Sequence, residues 1–223
     1  RDLLRNVLCD AFTHAGFDDN AADFGRGPAA GAGGGDALFL RRGLPDGAPA
    51  FQDLAATYGV RGPRAAMGAS VGDFDADGRL DLYLSNIGRN HLLLRGADGR
   101  FTQSSGALGL DATRRVDGAC PATSEAATCF NTSWMSQWVD LDGDGADDLA
   151  VAQAKFSQDP QRPLFFQGDG RGGFARVTPG VDCFASRTLL AVDLDGDTDP
   201  DLVAMSSYGE LLVARNETQA PPR

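Results

Sequence analysis

Three nearly identical acidic phrases constrain this chain more than anything else in it. They are Asp73-Phe-Asp-Ala-Asp-Gly-Arg-Leu-Asp81, Asp140-Leu-Asp-Gly-Asp-Gly-Ala-Asp-Asp148 and Asp193-Leu-Asp-Gly-Asp-Thr-Asp-Pro-Asp201. Each sets aspartates at loop positions 1, 3, 5 and 9 and then runs directly into apolar residues. Four carboxylates in so short a turn repel one another unless a cation offsets their charge. A flexible donor set made only of oxygen suits calcium. The expected side-chain donors are Asp73, Asp75, Asp77 and Asp81, then Asp140, Asp142, Asp144 and Asp148, then Asp193, Asp195, Asp197 and Asp201, for about three ions. One such loop alone is an ordinary solvated Asp/Gly turn. Three copies in register point to a repeated metal site.

The repetition extends beyond the loops. A first unit, about 36–88, runs from the strand-like Ala37-Leu-Phe-Leu through Phe51, Tyr58-Gly-Val and Gly68-Ala-Ser-Val-Gly into the first loop and Leu80-Asp-Leu-Tyr-Leu. A second, about 90–155, repeats the order with His91-Leu-Leu-Leu, Asp98-Gly-Arg-Phe101, Leu108-Gly-Leu and Trp138-Val-Asp-Leu-Asp. A third, about 163–207, has Leu164-Phe-Phe-Gln, Gly172-Gly-Phe174, Gly180-Val and Leu189-Leu-Ala-Val, and 208–223 begins a fourth. The loops start 67 and then 53 residues apart, the longer gap holding an apparent insertion at 116–130. Such periods, with short strands and Gly/Asp/Asn turns, predict an all-β fold of β-propeller-type blades. About three and a half blades are visible, which fits a four-bladed ring or part of a larger one. Apolar runs on both sides of each loop make it a hairpin connection, which disfavours a helix-loop-helix calcium site. Residues 1–35 differ: Leu3, Leu4, Val7, Leu8, Ala11, Phe12 and Ala15 recur at helical spacing, and Gly25 to Gly35 reads as a linker. A short N-terminal helix is expected there.

Charge and cysteine usage narrow the setting. The net charge is −11, but outside the twelve loop aspartates acids and bases nearly balance. No basic stripe offers phosphate contacts, so nucleic acid is not an expected partner. No apolar run reaches the roughly 18 residues of a membrane span. The chain begins at Arg1 without a basic-then-apolar leader, so a targeting segment is expected to be absent or already removed. Cys120 and Cys129 bracket a polar segment and could close a small loop, leaving Cys9 and Cys183; four cysteines allow three connectivities, and four reduced thiols are the alternative. The even count and the calcium levels such sites need favour a secreted, periplasmic or cell-surface location. Asn131 and Asn216 lie in glycosylation sequons.

Catalytic signatures are sparse. Gly68-Ala-Ser70-Val-Gly72 fits a nucleophile-elbow pattern but continues into a loop and strand, where small residues serve close packing. His14 and His91 sit in no triad or metal pattern and are expected at a surface or an edge. Glycine-rich stretches at 31–35 and 168–173 lack the lysine of a phosphate loop and read as linker and turn. Trp134 and Trp138 are expected on one strand face, buried between blades.

The motifs Asp98-Gly-Arg-Phe101 and Gly72-Asp-Phe-Asp-Ala-Asp-Gly-Arg-Leu-Asp-Leu82 resemble those of the FG-GAP/VCBS repeat family, the blades of integrin-α-type propellers. The nearest likeness is to the cartilage-acidic-protein and UnbV-like branch, over roughly 36–215. That resemblance implies a backbone carbonyl ligand at position 7 of each loop, namely Arg79, Ala146 and Asp199. It implies a non-catalytic calcium-binding module for protein or glycan interaction, with other chains or segments completing the ring. The alternative it carries is the accessory propeller of a secreted lyase or tailoring enzyme.

Overall fold

The computed structural model describes residues 36–43, 49–62, 64, 66–111, 132–153, 163–177, 186–206 and 211–217. The expected N-terminal helix and linker, all four cysteines, His14, Asn131 and the 116–130 insertion lie outside these residues. What is described is β-structure, apart from the four-residue helix α1 (Ala55–Tyr58). A first antiparallel pair joins β1 (Phe39–Gly43) to β2 (Pro49–Asp53). The next sheet has the order β3 (Ala66–Gly72), β4 (Asp81–Asn86), β5 (His91–Arg95), β6 (Phe101–Gln103). The following sheet repeats it with β7 (Ser133–Val139), β8 (Asp148–Gln153), β9 (Leu164–Gly168) and β10 (Phe174–Val177). The last has three strands, β11 (Ser186–Val192), β12 (Asp201–Ser206) and β13 (Leu211–Ala214). All neighbouring strands are antiparallel.

Strand composition explains how the sheets stack. Every residue of β4 and of β8 is buried, so these strands alternate apolar side chains toward two neighbours instead of one. Leu82 and Leu84 join Leu38, Ala55, Val60 and Phe101 on the side of β1 and β2. Tyr83 points the other way, into a core with Leu92, Leu110, Leu149, Val151 and Phe166. Ala150 and Ala152 continue the alternation against Leu189, Leu202 and Ala204 of the last sheet. Burying each of the larger side chains contributes roughly 1.5–3 kcal/mol. The sequence signals Tyr58-Gly-Val and Leu108-Gly-Leu mark turns whose last residues, Val60 and Leu110, are fully buried anchors.

The first strands of successive sheets lie side by side, β7 between β3 and β11. Small residues permit the approach: a Cβ added to Gly68 would sit 2.4 Å from the Trp134 carbonyl oxygen, and one on Gly72 would lie 2.8 Å from the Trp138 ring. The Ser70 hydroxyl bonds Ser136 at 2.7 Å, and the Gln137 amide bridges to the backbone of Ala191. Gly68-Ala-Ser70-Val-Gly72 is therefore a packing strand, as expected. Among the described residues the stack does not close into a ring.

Two expectations need correction. Each first strand carries a β-bulge, between Ala66 and Gly68, Ser133 and Met135, and Ser186 and Thr188. The extra residue interrupts the two-residue alternation, so Trp134 and Trp138 do not share a neighbour. Trp134 lies under the Arg187 guanidinium of β11, 4.8 Å from the ring centroid, whereas Trp138 packs against Phe74 and Tyr83 of the preceding sheet. His91, expected at a surface or edge, sits in β5 between β4 and β6, half-buried, with its Nδ1 enclosed and without a hydrogen-bond partner.

Candidate metal centres

Each acidic phrase forms the hairpin loop between the first and second strands of a sheet, closed by the pairs Gly72 with Asp81, Val139 with Asp148, and Val192 with Asp201. The three loops share one hydrogen-bond plan. At position 1, Asp73 accepts from the backbone N–H of Asp77 (3.0 Å) and Gly78 (2.9 Å). Asp140 does the same for Gly143, Asp144 and Gly145, and Asp193 for Gly196 and Thr198. At position 5, Asp77, Asp144 and Asp197 accept from the N–H groups of Arg79, Ala146 and Asp199 at 2.8–3.0 Å. These bonds wind the loop tightly and draw its carboxylates inward.

Position 9 has a second duty that the sequence reading missed. Asp81 accepts Phe74 N–H on Oδ2 (3.0 Å) and Arg95 N–H on Oδ1 (2.7 Å). Asp148 holds Leu141 and Gly168 in the same way, both at 2.9 Å, and Asp201 holds Leu194 (3.0 Å) and Asn216 (2.9 Å). The carboxylate thus ties the start of its own loop to the end of the third strand. The invariance of the aspartate across all three copies, followed each time by Leu, is the sequence signal of this role. A carboxylate oxygen that accepts one N–H keeps a lone pair, so the clamp is compatible with metal ligation.

The carboxylates converge, with differences between loops. Oxygens of Asp73, Asp75 and Asp81 lie within 4.8 Å of one another, as do those of Asp140, Asp142 and Asp148. In the third loop the converging set is Asp193, Asp195 and Asp197. Asp77 is held by the Arg79 guanidinium, which also donates from Nε to the Arg95 carbonyl (2.8 Å). Asp144 and Asp201 likewise lie outside the convergent sets of their loops. In loop one the Asp75 Oδ1 is buried with no hydrogen-bond partner. Leaving a buried carboxylate oxygen unpaired is costly, and a hard cation beside Asp73 and Asp81 would satisfy it. The residues present therefore fit calcium.

Electrostatics follow burial. Burial pushes the Asp81 carboxyl above its ordinary range, opposed by its two backbone bonds and reinforced by Asp75 and Asp73. Asp148 is raised for the same first reason, with Asp142 and Asp140 adding repulsion. In loop three the bonds from Asn216 and Leu194 prevail, and Asp201 is lowered. Desolvation raises Asp199, helped by four neighbouring aspartates. Loops one and two are half-buried at positions 1 and 3, whereas Asp193, Asp195 and Asp197 are exposed.

The backbone explains the glycine pattern and its exception. Position 6 is left-handed in every loop: Gly78 at φ +83°, Gly145 at +88° and Thr198 at +80°. A β-branched residue is strained there. Asn216, the other sequon residue, donates its Nδ2 to the Leu141 carbonyl at 2.7 Å, so the atom a glycan would join is already engaged. The 168–173 stretch is the β9–β10 turn, shaped by Asp169, and its Gly172 lies against Asp75 of loop one.

A comparison with curated proteins finds no match. Among solved structures, the chain is similar to an Agrocybe aegerita lectin described for specific recognition of non-reducing terminal N-acetylglucosamine, at 17% identity and a TM-score of 0.41. The likeness covers 83% of this chain and 46% of that one, so this chain spans about half the lectin's length. Residues 140–217, from the first aspartate of loop two to just past the Asn216 clamp, match the family model of the FG-GAP-like repeat, the repeat type that the sequence motifs resemble.

Proposed function

We propose that the protein is a calcium-binding, propeller-type interaction module whose metal ions are structural and whose role is recognition of a protein or glycan outside the cytoplasm. The observation that carries the reading is the repeated loop geometry. Three hairpins each converge three aspartates, at positions 1, 3 and 9 in the first two loops and 1, 3 and 5 in the third, and in loop one a buried oxygen of Asp75 has no hydrogen-bond partner. Each ion would be held by the aspartates at positions 1, 3, 5 and 9 with the position-7 carbonyl, neutralising charge that otherwise strains the hairpin. The FG-GAP-like segment supports a module of stacked blades. The even cysteine count, and the calcium levels that such acidic loops would need, support an oxidising, calcium-rich compartment. Ser70, the one residue in a nucleophile pattern, has its hydroxyl bonded to Ser136, which supports recognition over catalysis.

The test is calorimetric titration of calcium into EDTA-treated protein, with melting followed in parallel. Saturable binding of two to three ions with a marked rise in melting temperature is expected, and Asp75→Ala should remove one ion from the count. A flat titration and an unchanged melting temperature would refute the reading.

A further inference from the structure

The segment 167–174, from the end of β9 through the turn into β10, touches two acidic loops in alternation. Toward loop two, the Gln167 amide donates to Asp142, and the Gly168 N–H donates to Asp148 at 2.9 Å. A Cβ added to Gly168 would run into the Asp147 carbonyl, and one on Gly170 would lie 3.4 Å from the Ala146 methyl. Toward loop one, a Cβ on Gly172 would stand 3.4 Å from that of Asp75 and 3.7 Å from its Cα. Phe174 then stacks on Phe74, with 4.2 Å between centroids. The two loops belong to different sheets, yet this strap joins positions 2 and 3 of loop one to positions 3, 7 and 9 of loop two.

Between these contacts the strap is short and closed on itself. Asp169 accepts the N–H groups of Arg171 and Gly173 at 2.8 Å, and its own N–H donates to the Gly173 carbonyl at 3.0 Å. Gly170 and Gly172 are left-handed, at φ +63° and +84°, a conformation that any side chain would strain. Closely packed segments transmit a displacement instead of absorbing it. A second link runs beneath the strap: Trp138 meets Phe74 edge-on at 5.0 Å and stands two residues before Asp140 of loop two. The donor that the strap meets in loop one is Asp75, whose buried Oδ1 has no hydrogen-bond partner.

We propose that segment 167–174 couples the first two loops, so that a divalent cation held by Asp73, Asp75 and Asp81 raises the affinity of Asp140, Asp142 and Asp148 for a second one. Fixing Asp75 fixes the surface on which Gly172 and Phe174 rest. The strap so held keeps Gln167 on Asp142 and Gly168 on Asp148, and its conformational entropy is lost once for two ions. By linkage the effect runs equally in reverse. The inference rests on the calcium reading above and adds a coupling that independent sites would lack.

The test is a double-mutant cycle on the full chain, read by calcium calorimetry in a background where Asp195→Ala empties loop three. Asp75→Ala empties loop one, and a Gly-Gly insertion between Gly170 and Arg171 slackens the strap without changing any charge. With the strap intact, emptying loop one should weaken calcium at loop two about fivefold or more beyond its effect with the strap slackened. The charge removed with Asp75 is the same in both arms and cancels. Equal effects in the two arms overturn the inference. Should the insertion prevent folding, hydrogen exchange of Asp142→Ala decides: calcium at loop one alone should slow exchange of the Leu141 and Gly168 amides, both bonded to Asp148, about fivefold or more. Protection confined to the Phe74, Asp77 and Gly78 amides of loop one overturns the coupling. A flat titration of the unaltered chain overturns the calcium reading and the coupling together, whereas saturable binding without the strap-dependent ratio overturns the coupling alone.

Discussion

Asp148 separates the structural duty of the position-9 carboxylate from its duty to a metal. Its two oxygens accept Leu141 and Gly168 N–H at 2.9 Å, and the residue is buried. Replacing it with alanine strips acceptors from two backbone donors in the interior. A bond to a charged acceptor contributes about 1.5–3 kcal/mol. Burial has already raised the Asp148 carboxyl, so relief of its desolvation offsets part of that loss. The net expectation is a destabilisation of about 2–4 kcal/mol, or about 5–15 °C in melting temperature for a chain of this size. The loss must appear in EDTA as well as in calcium. Asp148→Asn keeps one acceptor and should lose about half as much. Asp142→Ala is the control: among the described residues its carboxylate bonds within the loop and to Gln167, so in EDTA it should change stability by less than about 1 kcal/mol while losing calcium stabilisation. The assay is paired thermal melts of the three variants in calcium and in EDTA. Asp148→Ala melting at or above the parent in EDTA would show that the residue serves the metal alone and would refute the clamp.

Other outcomes follow from particular residues. Thr198→Gly relieves a left-handed threonine at about 1–2 kcal/mol while adding about 0.5–1 kcal/mol of chain entropy; a gain of about 0.5–1 kcal/mol by denaturant unfolding is expected, and no gain would mean the loop relaxes around threonine. His91 is held at about 4 against an ordinary 6.5, first by burial and then by Arg64. Its folded value is depressed, so the fold favours the neutral ring: that stability is complete above about pH 6.5 and is lost as pH falls toward 4, at about 1.4 kcal/mol per unit. His91→Leu, matching Leu164 at the equivalent place in β9, should flatten the acid limb of a melting-versus-pH curve, and an unchanged limb would count against it. Gly68→Ala drives a Cβ to 2.4 Å from the Trp134 carbonyl, and a loss of at least about 1–3 kcal/mol is expected by thermal melting; a neutral result would show that β3 and β7 can separate freely.

Much of this was legible in the chain because acidic turns and hairpins are local. The three acidic phrases became three equivalent turns, and the apolar runs after them became the strands β4, β8 and β12, of which β4 and β8 are buried throughout. Glycine at position 6 of loops one and two suits the left-handed backbone found there, and Thr198 is the departure from that pattern. Long-range features were hidden. That Asp81, Asp148 and Asp201 reach the third strand depends on a pairing partner more than a dozen residues away. The bulges that separate Trp134 from Trp138 leave no mark on residue type, since their extra positions hold Met67, Trp134 and Arg187, three unlike side chains. His91 looked peripheral because a histidine in a short strand carries no sign of which strands flank it.

The sheets and the sequence repeat are out of step. In each copy of the motif the aromatic strand comes first and the acidic loop last, yet β3–β6 and β7–β10 begin at the loop and end at the phenylalanine. Every complete sheet is thereby woven from two successive copies, like overlapping roof tiles. Duplicating one copy in frame would lengthen the stack by a whole sheet without leaving an orphaned half, because the donated outer strands and the borrowed inner strands are interchangeable. A gene that grows by such steps can change its blade number while every hairpin keeps a partner.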